Sequence, residues 1–316
     1  MITYENQKAW SEVEKFLPVK MHFDEKYKPT EEIWKWKGND VHLDTFRNPQ
    51  APAKIICFHG VGTNGRQISM IIGGPLARDG FETIMVDMPN YGITKVNPNV
   101  IIRYDDWVQC GSDLIDAELE RDDRPIFIYG LSAGGMETYH VAAKNKSSNI
   151  KGIIGMTFLD QREKSVRMKT TNNKFWGKFG TKLAMVSCKI GLSKLKIRMS
   201  IPSKMSALVN NEECLNVMMN DETSAGNKVT MVFLESYMNY SPDIEARDFE
   251  ICPILLTQPE KDRWTPQFLS DIFLDKIRKV PVKKKILKNG SHYPIETKAL
   301  EDLHKYILDF VQDNLL

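Results

Sequence analysis

Residues 125–135 read Pro-Ile-Phe-Ile-Tyr-Gly-Leu-Ser-Ala-Gly-Gly. A short apolar β-run leads into Gly130-Leu131-Ser132-Ala133-Gly134, and a helical pattern follows through Lys144. A serine in that setting sits on a sharp strand-to-helix turn, the nucleophile elbow. The tight backbone leaves no room for a Cβ at the flanking positions, so glycine is needed on both sides. The hydroxyl is pushed out at the carboxyl edge of a sheet, over a helix N-terminus whose N–H groups stabilise negative charge. The pentapeptide alone also fits a small-residue turn, so the partners of Ser132 decide its meaning.

The 316 residues suit one large α/β domain with an insertion, or two domains. Hydrophobic content of 42% and charged content of 27% are those of a soluble globular chain. A net charge of +2 carries no global nucleic-acid signature. Cys57, Cys110, Cys188, Cys214 and Cys252 are odd in number and widely spaced, which argues against a disulfide framework, and no metal-type pairing occurs. Cys57 and Cys252 lie in or beside apolar runs and read as small core residues. The first residues lack the basic-then-apolar order of a signal peptide, and no apolar stretch is long enough to span a bilayer. These features point to a reducing cytoplasm.

Working outward from the elbow, strands and helices alternate. Residues 54–58, 82–86, 126–129 and 150–157 read as strands, with helical stretches near 67–78, 105–119 and 133–144. The helix near 67–78 is interrupted around Gly73-Gly74-Pro75. Residues 4–16 have a helical pattern, and residues 31–37 and 41–48 read as two strands joined by a turn at Gly38-Asn39-Asp40. The rhythm stops near Phe158 and resumes with strands at 253–257 and 283–287, part of a helix at 272–278 and a closing helix at 296–314. Such alternation predicts a parallel sheet covered on both faces. The expected division is an N-terminal part of the core at 1–158, an inserted, mainly helical cap at 159–249, and a C-terminal part of the core at 250–316.

The inserted block is electrically divided. Residues 161–204 hold twelve Lys/Arg and one acid, Glu163; residues 205–250 hold nine acids and two bases. One reading is a solvated helical surface whose halves attract each other. The other uses Phe175, Trp176, Phe179, Leu183-Ala184-Met185-Val186 and Ile190 among the bases as a lid face that approaches anionic lipid or an acidic substrate.

A serine hydroxyl needs a base and a third group to orient that base. In chains of this architecture the order is Ser, then Asp or Glu, then His. Of six histidines, His22 and His42 precede the rhythm, His140 lies too far along the helix after the elbow, and His304 sits inside the last helix. His59 follows a strand but precedes Ser132. His292 follows the last strand in Lys288-Asn289-Gly290-Ser291-His292, at a sheet edge where ligands meet open α/β sheets. The loop after 253–257 offers Glu260 and Asp262, and Asp262 is preferred because a turn past the strand points it across toward His292. Pairing with Lys261 or Arg263, or capping the next helix, is the structural alternative for Asp262. The oxyanion donors are the backbone N–H groups of Ala133, next to the nucleophile, and Val61, in His59-Gly60-Val61-Gly62.

With these residues in place the chain resembles the α/β-hydrolase superfamily, in its serine-aminopeptidase-like and monoacylglycerol-lipase-like branch. The residues carrying the resemblance are His59-Gly60-Val61-Gly62, Asp87 with Pro89-Asn90-Tyr91-Gly92, Gly130 to Gly135, Glu260-Lys261-Asp262 with Pro266, and Gly290-Ser291-His292. They cover about 54–158 and 251–314. The resemblance implies an eight-stranded, mostly parallel sheet, nucleophile Ser132, acid Asp262, base His292, oxyanion N–H groups of Val61 and Ala133, and no cofactor. Leu131 and Ala133 stand where many relatives have His and Met, and Asn90-Tyr91-Gly92 stands where Gly-His-Gly is usual. The expected function is serine hydrolysis of a carboxylic ester, a small molecule with an apolar acyl or alcohol part. Amide, lactone or thioester cleavage, acyl transfer, and non-catalytic ligand binding on the same scaffold are the alternatives.

Overall fold

Eight stretches rich in β-branched and aromatic residues pair into one sheet. In the computed structural model, which describes residues 3–315, they are β1 (Thr30–Trp36), β2 (Asn39–Phe46), β3 (Lys54–Phe58), β4 (Glu82–Val86), β5 (Ile126–Gly130), β6 (Ile150–Gly155), β9 (Ile254–Pro259) and β10 (Val282–Leu287). Two further short strands, β7 (Lys196–Arg198) and β8 (Lys228–Thr230), form a separate antiparallel ribbon. The sheet order is β1-β2-β4-β3-β5-β6-β9-β10. Only β2 runs against its neighbours; the other adjacent pairs are parallel. Strands β3, β4 and β5 are buried at every residue, which is why they read as unbroken apolar runs.

The strand order decides where a site can form. The chain passes from β3 out to β4, then returns to β5 on the other side of β3, so β3 and β5 form a topological switch point. Phe58 and Gly130, their last residues, are in register. The loop His59–Gly62 and the elbow therefore leave the sheet side by side. Pro259 and Leu287 are likewise in register at the ends of β9 and β10, so the Asp262 and His292 loops also leave together.

The β1–β2 turn differs from the expected Gly38-Asn39-Asp40. Trp36 pairs with Asn39, and the two turn residues are Lys37 (φ 47°) and Gly38 (φ 79°). Two consecutive left-handed residues match the twist of a tight hairpin. Asn39, a turn former by type, is buried in the strand and its side-chain oxygen accepts the Asn97 N–H at 2.9 Å. Near residue 73 the helix widens rather than breaks. Gly65–Ile68 runs through a π-type stretch, Ser69–Gly73, into Gly74–Arg78, and Pro75, which has no N–H to donate, follows directly on the widened turn. The pattern at residues 4–16 yields a 3₁₀ turn at Tyr4–Asn6 and a short helix at Ala9–Glu14.

Between β6 and β9 lie helices Lys164–Thr170, Lys174–Lys189, Glu212–Asn220 and Met231–Asn239 with the small ribbon. Helix Tyr104–Arg121 packs on helix Ala133–Asn145, which follows the elbow, and the final helix, Thr297–Asn314, packs on β6, β9 and β10. No helix of the described residues is long and apolar enough to cross a membrane.

Candidate active site

Ser132 occupies the turn between β5 and helix Ala133–Asn145 with φ 57° and ψ −119°. A non-glycine residue held there carries strain on the order of 1–3 kcal/mol, which the surroundings must sustain. They do so by close packing. A Cβ on Gly130 would lie 1.9 Å from the Gly134 carbonyl oxygen, and one on Gly134 would lie 2.6 Å from that of Phe58. Leu131 N–H donates to the Phe58 carbonyl at 3.1 Å, and the Thr157 hydroxyl to the Ser132 carbonyl at 3.0 Å. The elbow is thus fixed to the ends of both neighbouring strands.

The His59–Gly62 loop lies directly against the elbow. A Cβ on Gly60 would meet the Ser132 Cβ at 2.7 Å and its Oγ at 3.4 Å. His59, fully buried, sets the direction of the next peptide. Its Nε2 accepts the Met88 N–H at 3.0 Å, so Nδ1 carries the proton and donates to the Gly60 carbonyl at 2.8 Å. Burial holds the His59 imidazole below its ordinary pKa, against the opposing pull of Asp87, and keeps this neutral tautomer. The Gly60 C=O and the Val61 N–H belong to one planar trans peptide, so pinning the carbonyl aims the N–H the opposite way. Tyr91 donates its hydroxyl to the Val61 carbonyl at 3.0 Å. Both peptides flanking Val61 are therefore held.

Behind the loop, buried Asp87 joins several segments. It accepts the Gly65 N–H at 2.7 Å, the Ile93 N–H at 3.0 Å and the Tyr4 hydroxyl at 2.9 Å. His42 Nδ1 lies 2.9 Å away, and Glu31 lies 3.1 Å from the other ring nitrogen. Burial works against a charged His42, but Asp87, Glu31 and Asp44 prevail and raise its pKa to about 10.

Asp262 and His292 meet as the register of β9 and β10 requires. His292 Nδ1 donates to Asp262 Oδ2 at 2.8 Å, and both side chains are buried. Asp262 also accepts the Trp264 and Thr265 N–H groups at 2.7 and 2.8 Å and the Thr265 hydroxyl at 2.6 Å. Burial raises the Asp262 pKa, but the His292 imidazole and these donors outweigh it, leaving the carboxyl below its usual range. Asp262 caps its own turn while holding the histidine. Glu260 points elsewhere, accepting the Asn289 N–H at 2.9 Å at the surface.

His292 Nε2 is buried and has no hydrogen-bond partner among the described residues. Ser132 and the Asp262 loop border one cavity, lined by Val61, Ser132, Trp264 and Thr265 from the core. Leu159, Met199, Leu234, Tyr237 and Met238, from the segment between β6 and β9, form much of its wall, with Gln161, Thr170, Thr171 and Ser203 as its polar part. The structure joins Asp262 to His292 and Val61 to the elbow; no hydrogen bond joins His292 to Ser132. Of the other histidines, His140 is buried with its Nδ1 3.0 Å from the Tyr104 hydroxyl, and His304 pairs with Asp79. Thr265 and Tyr91 escaped the sequence reading as site residues. The only signal for Tyr91 was its place where histidine is usual.

A family model described as serine aminopeptidase, S33, matches residues 49–296. A sequence search of curated proteins finds no match. Among solved structures, a soluble variant of monoglyceride lipase from Saccharomyces cerevisiae, in complex with a substrate analog, aligns with TM-score 0.75 at 14% identity, covering 94% of this chain and 98% of that one. A carboxyl esterase from Bacillus coagulans aligns with TM-score 0.70 at 15% identity, over 91% and 99% of the two chains. A monoacylglycerol lipase from Paleococcus ferrophilus gives 0.63 at 18% identity, over 87% and 99%. At these identities the structures speak for the fold, and they share it over nearly their whole length. The family model spans most of the chain on a sheet of this topology, and the chain accordingly belongs to the serine aminopeptidase S33 family of α/β-hydrolases.

Proposed function

We propose that the protein hydrolyses a carboxylic ester with an apolar acyl or alcohol part, using Ser132, His292 and Asp262. The observation that carries this reading is the buried Asp262–His292 pair at 2.8 Å, with the outer imidazole nitrogen uncommitted, beside a cavity bordered by a strained elbow serine. Ser132 Oγ attacks the ester carbonyl while His292 Nε2 takes its proton, in a hydrogen bond that tightens when substrate is bound. Asp262 holds the ring through Nδ1–H and stabilises the imidazolium. The N–H groups of Val61 and Ala133 receive the oxyanion; no protein acceptor engages either among the described residues. His292 then returns the proton to the leaving alcohol, and water attacks the acyl-enzyme by the same route.

The apolar preference follows from the wall. Leu159, Met199, Leu234, Met238 and Trp264 offer little to a charged group. Residues 159–249 act in this reading as a lid that supplies much of that wall and limits water access. Solved structures of the same fold include proteins named as monoglyceride lipases and a carboxyl esterase. The buried free thiols Cys57, Cys110, Cys214 and Cys252 fit a reducing compartment, and we place the protein in the cytoplasm.

The test is turnover of p-nitrophenyl butyrate by the wild type and by Ser132→Ala. The variant loses turnover with an unchanged unfolding transition; retained activity removes Ser132 from the mechanism. A panel of esters, amides, lactones and thioesters separates the alternative acyl substrates. Absence of turnover on all of them favours a binding protein on this scaffold.

A further inference from the structure

Helix Lys174–Lys189 has two faces that polar surface helices do not combine. Gly177, Gly180, Ala184 and Ser187 are buried, and their small size lets the helix lie close on helices Lys164–Thr170 and Met231–Asn239. The other face carries Phe175, Phe179, Leu183, Val186 and Ile190, at intervals of four, four, three and four residues, which line up as one stripe. These side chains are 40–65% exposed. The Phe175 and Phe179 rings lie 5.6 Å apart, and Leu192 and Leu195, 46% and 50% exposed, extend the apolar surface past the helix end. A contiguous exposed apolar stripe marks a contact surface, whereas single exposed residues do not.

The stripe is flanked by positive charge. Lys174, Lys178, Lys182, Lys189, Lys194, Lys196 and Arg198 are all exposed. Among the described residues, none forms an ion pair. The acidic half of the inserted segment does not neutralise the basic half: among the described residues, the one ion pair joining 161–204 to 205–250 is Arg162–Glu245, at 2.6 Å. The lysines of this helix stand in solvent, and the charges of the two halves of the segment meet through that single ion pair.

We infer that this face docks on an anionic lipid bilayer. An apolar stripe bordered by lysines seats its aromatic and aliphatic side chains below the headgroups, with the ammonium groups at the phosphate level. A second copy of the chain fits less well, since a two-fold contact through the stripe brings lysines against lysines. Helices Lys164–Thr170 and Met231–Asn239, packed beneath, contribute Thr170, Leu234, Tyr237 and Met238 to the Ser132 cavity. The docking face is therefore one helix layer from that cavity. The inference concerns binding and stands whether or not Ser132 is a nucleophile.

The test is sedimentation of the full chain with vesicles of phosphatidylcholine alone and of phosphatidylcholine mixed with phosphatidylglycerol. The wild type binds the mixed vesicles at least about tenfold more tightly, and high salt weakens the binding. The triple variant Lys174→Glu, Lys178→Glu, Lys182→Glu binds the mixed vesicles at least about a hundredfold more weakly. The triple variant Phe175→Ser, Phe179→Ser, Val186→Ser loses binding while keeping the wild-type unfolding temperature. If either triple fails to fold, the single changes Phe179→Ser and Lys178→Glu carry the same test. Failure of the wild type to bind mixed vesicles overturns the inference, as does binding that these changes leave intact. Light scattering that shows a dimer dissociated by the Phe175→Ser triple, without vesicle binding, assigns the face to a second copy and equally overturns it.

Discussion

The Tyr91 hydroxyl donates to the carbonyl of Val61, the residue whose N–H is assigned to the oxyanion. His59 holds the preceding carbonyl, and the Tyr91 ring packs on His59 with centroids 5.2 Å apart. Tyr91→Phe keeps the ring and removes the bond. It lowers kcat about tenfold, a fraction of the loss for deleting an oxyanion donor, and leaves KM within about twofold. Steady-state kinetics on a soluble ester check this; an unchanged kcat removes Tyr91 from the positioning of Val61.

Asp262→Asn keeps the shape of the acid and removes its charge. The amide disturbs the His292 tautomer, and kcat falls on the order of 10³–10⁴-fold. Glu260→Gln touches only the surface bond to Asn289 and leaves kcat within about twofold. Equal losses in the two variants contradict the assignment of the acid.

Gly134→Ala places a methyl group 2.6 and 2.7 Å from the Phe58 and His59 carbonyl oxygens. Both are backbone atoms at the end of a central strand and yield little. The variant loses about 2–3 kcal/mol in urea unfolding, or fails to accumulate as soluble protein. Wild-type stability contradicts the tight elbow.

His140 makes the fold sensitive to mild acid. Burial lowers its pKa from 6.5 to about 3, with Arg162 adding to the effect and Asp160 opposing it. The folded state prefers the neutral ring, so this contribution is complete above pH 6.5 and is lost as pH falls toward 3. The slope reaches about 1.4 kcal/mol per pH unit between those values. His140→Gln, which retains a partner for Tyr104, flattens the stability profile between pH 6.5 and 5. Parallel profiles for the two proteins contradict the buried neutral ring.

The central strands β3, β4 and β5 were legible because parallel strands buried on both faces read as continuous apolar runs, whereas the edge strands β1 and β10 carry exposed charged residues. The first hairpin shifted because Asn39 is a turn former by type but buried by position, and burial decided the register. In the site, the chain order Ser132, Asp262, His292 was readable, and the paired exits of β9 and β10 explain why the last two meet. The bonds of Tyr91 to Val61 and of Asp87 to Gly65 and Tyr4 span 22 to 83 positions, contacts that no local pattern encodes. The inserted segment was legible as a charge division, but the direction each half faces depends on how its helices pack.

The central claim is that Ser132 is an activated nucleophile. Incubation of the folded protein with a fluorophosphonate probe, followed by peptide mapping, tests it most directly. A single adduct on the Ser132 peptide is expected, absent in Ser132→Ala and strongly slowed in His292→Ala. An adduct on another residue, or none on a chain whose fold is intact, contradicts it.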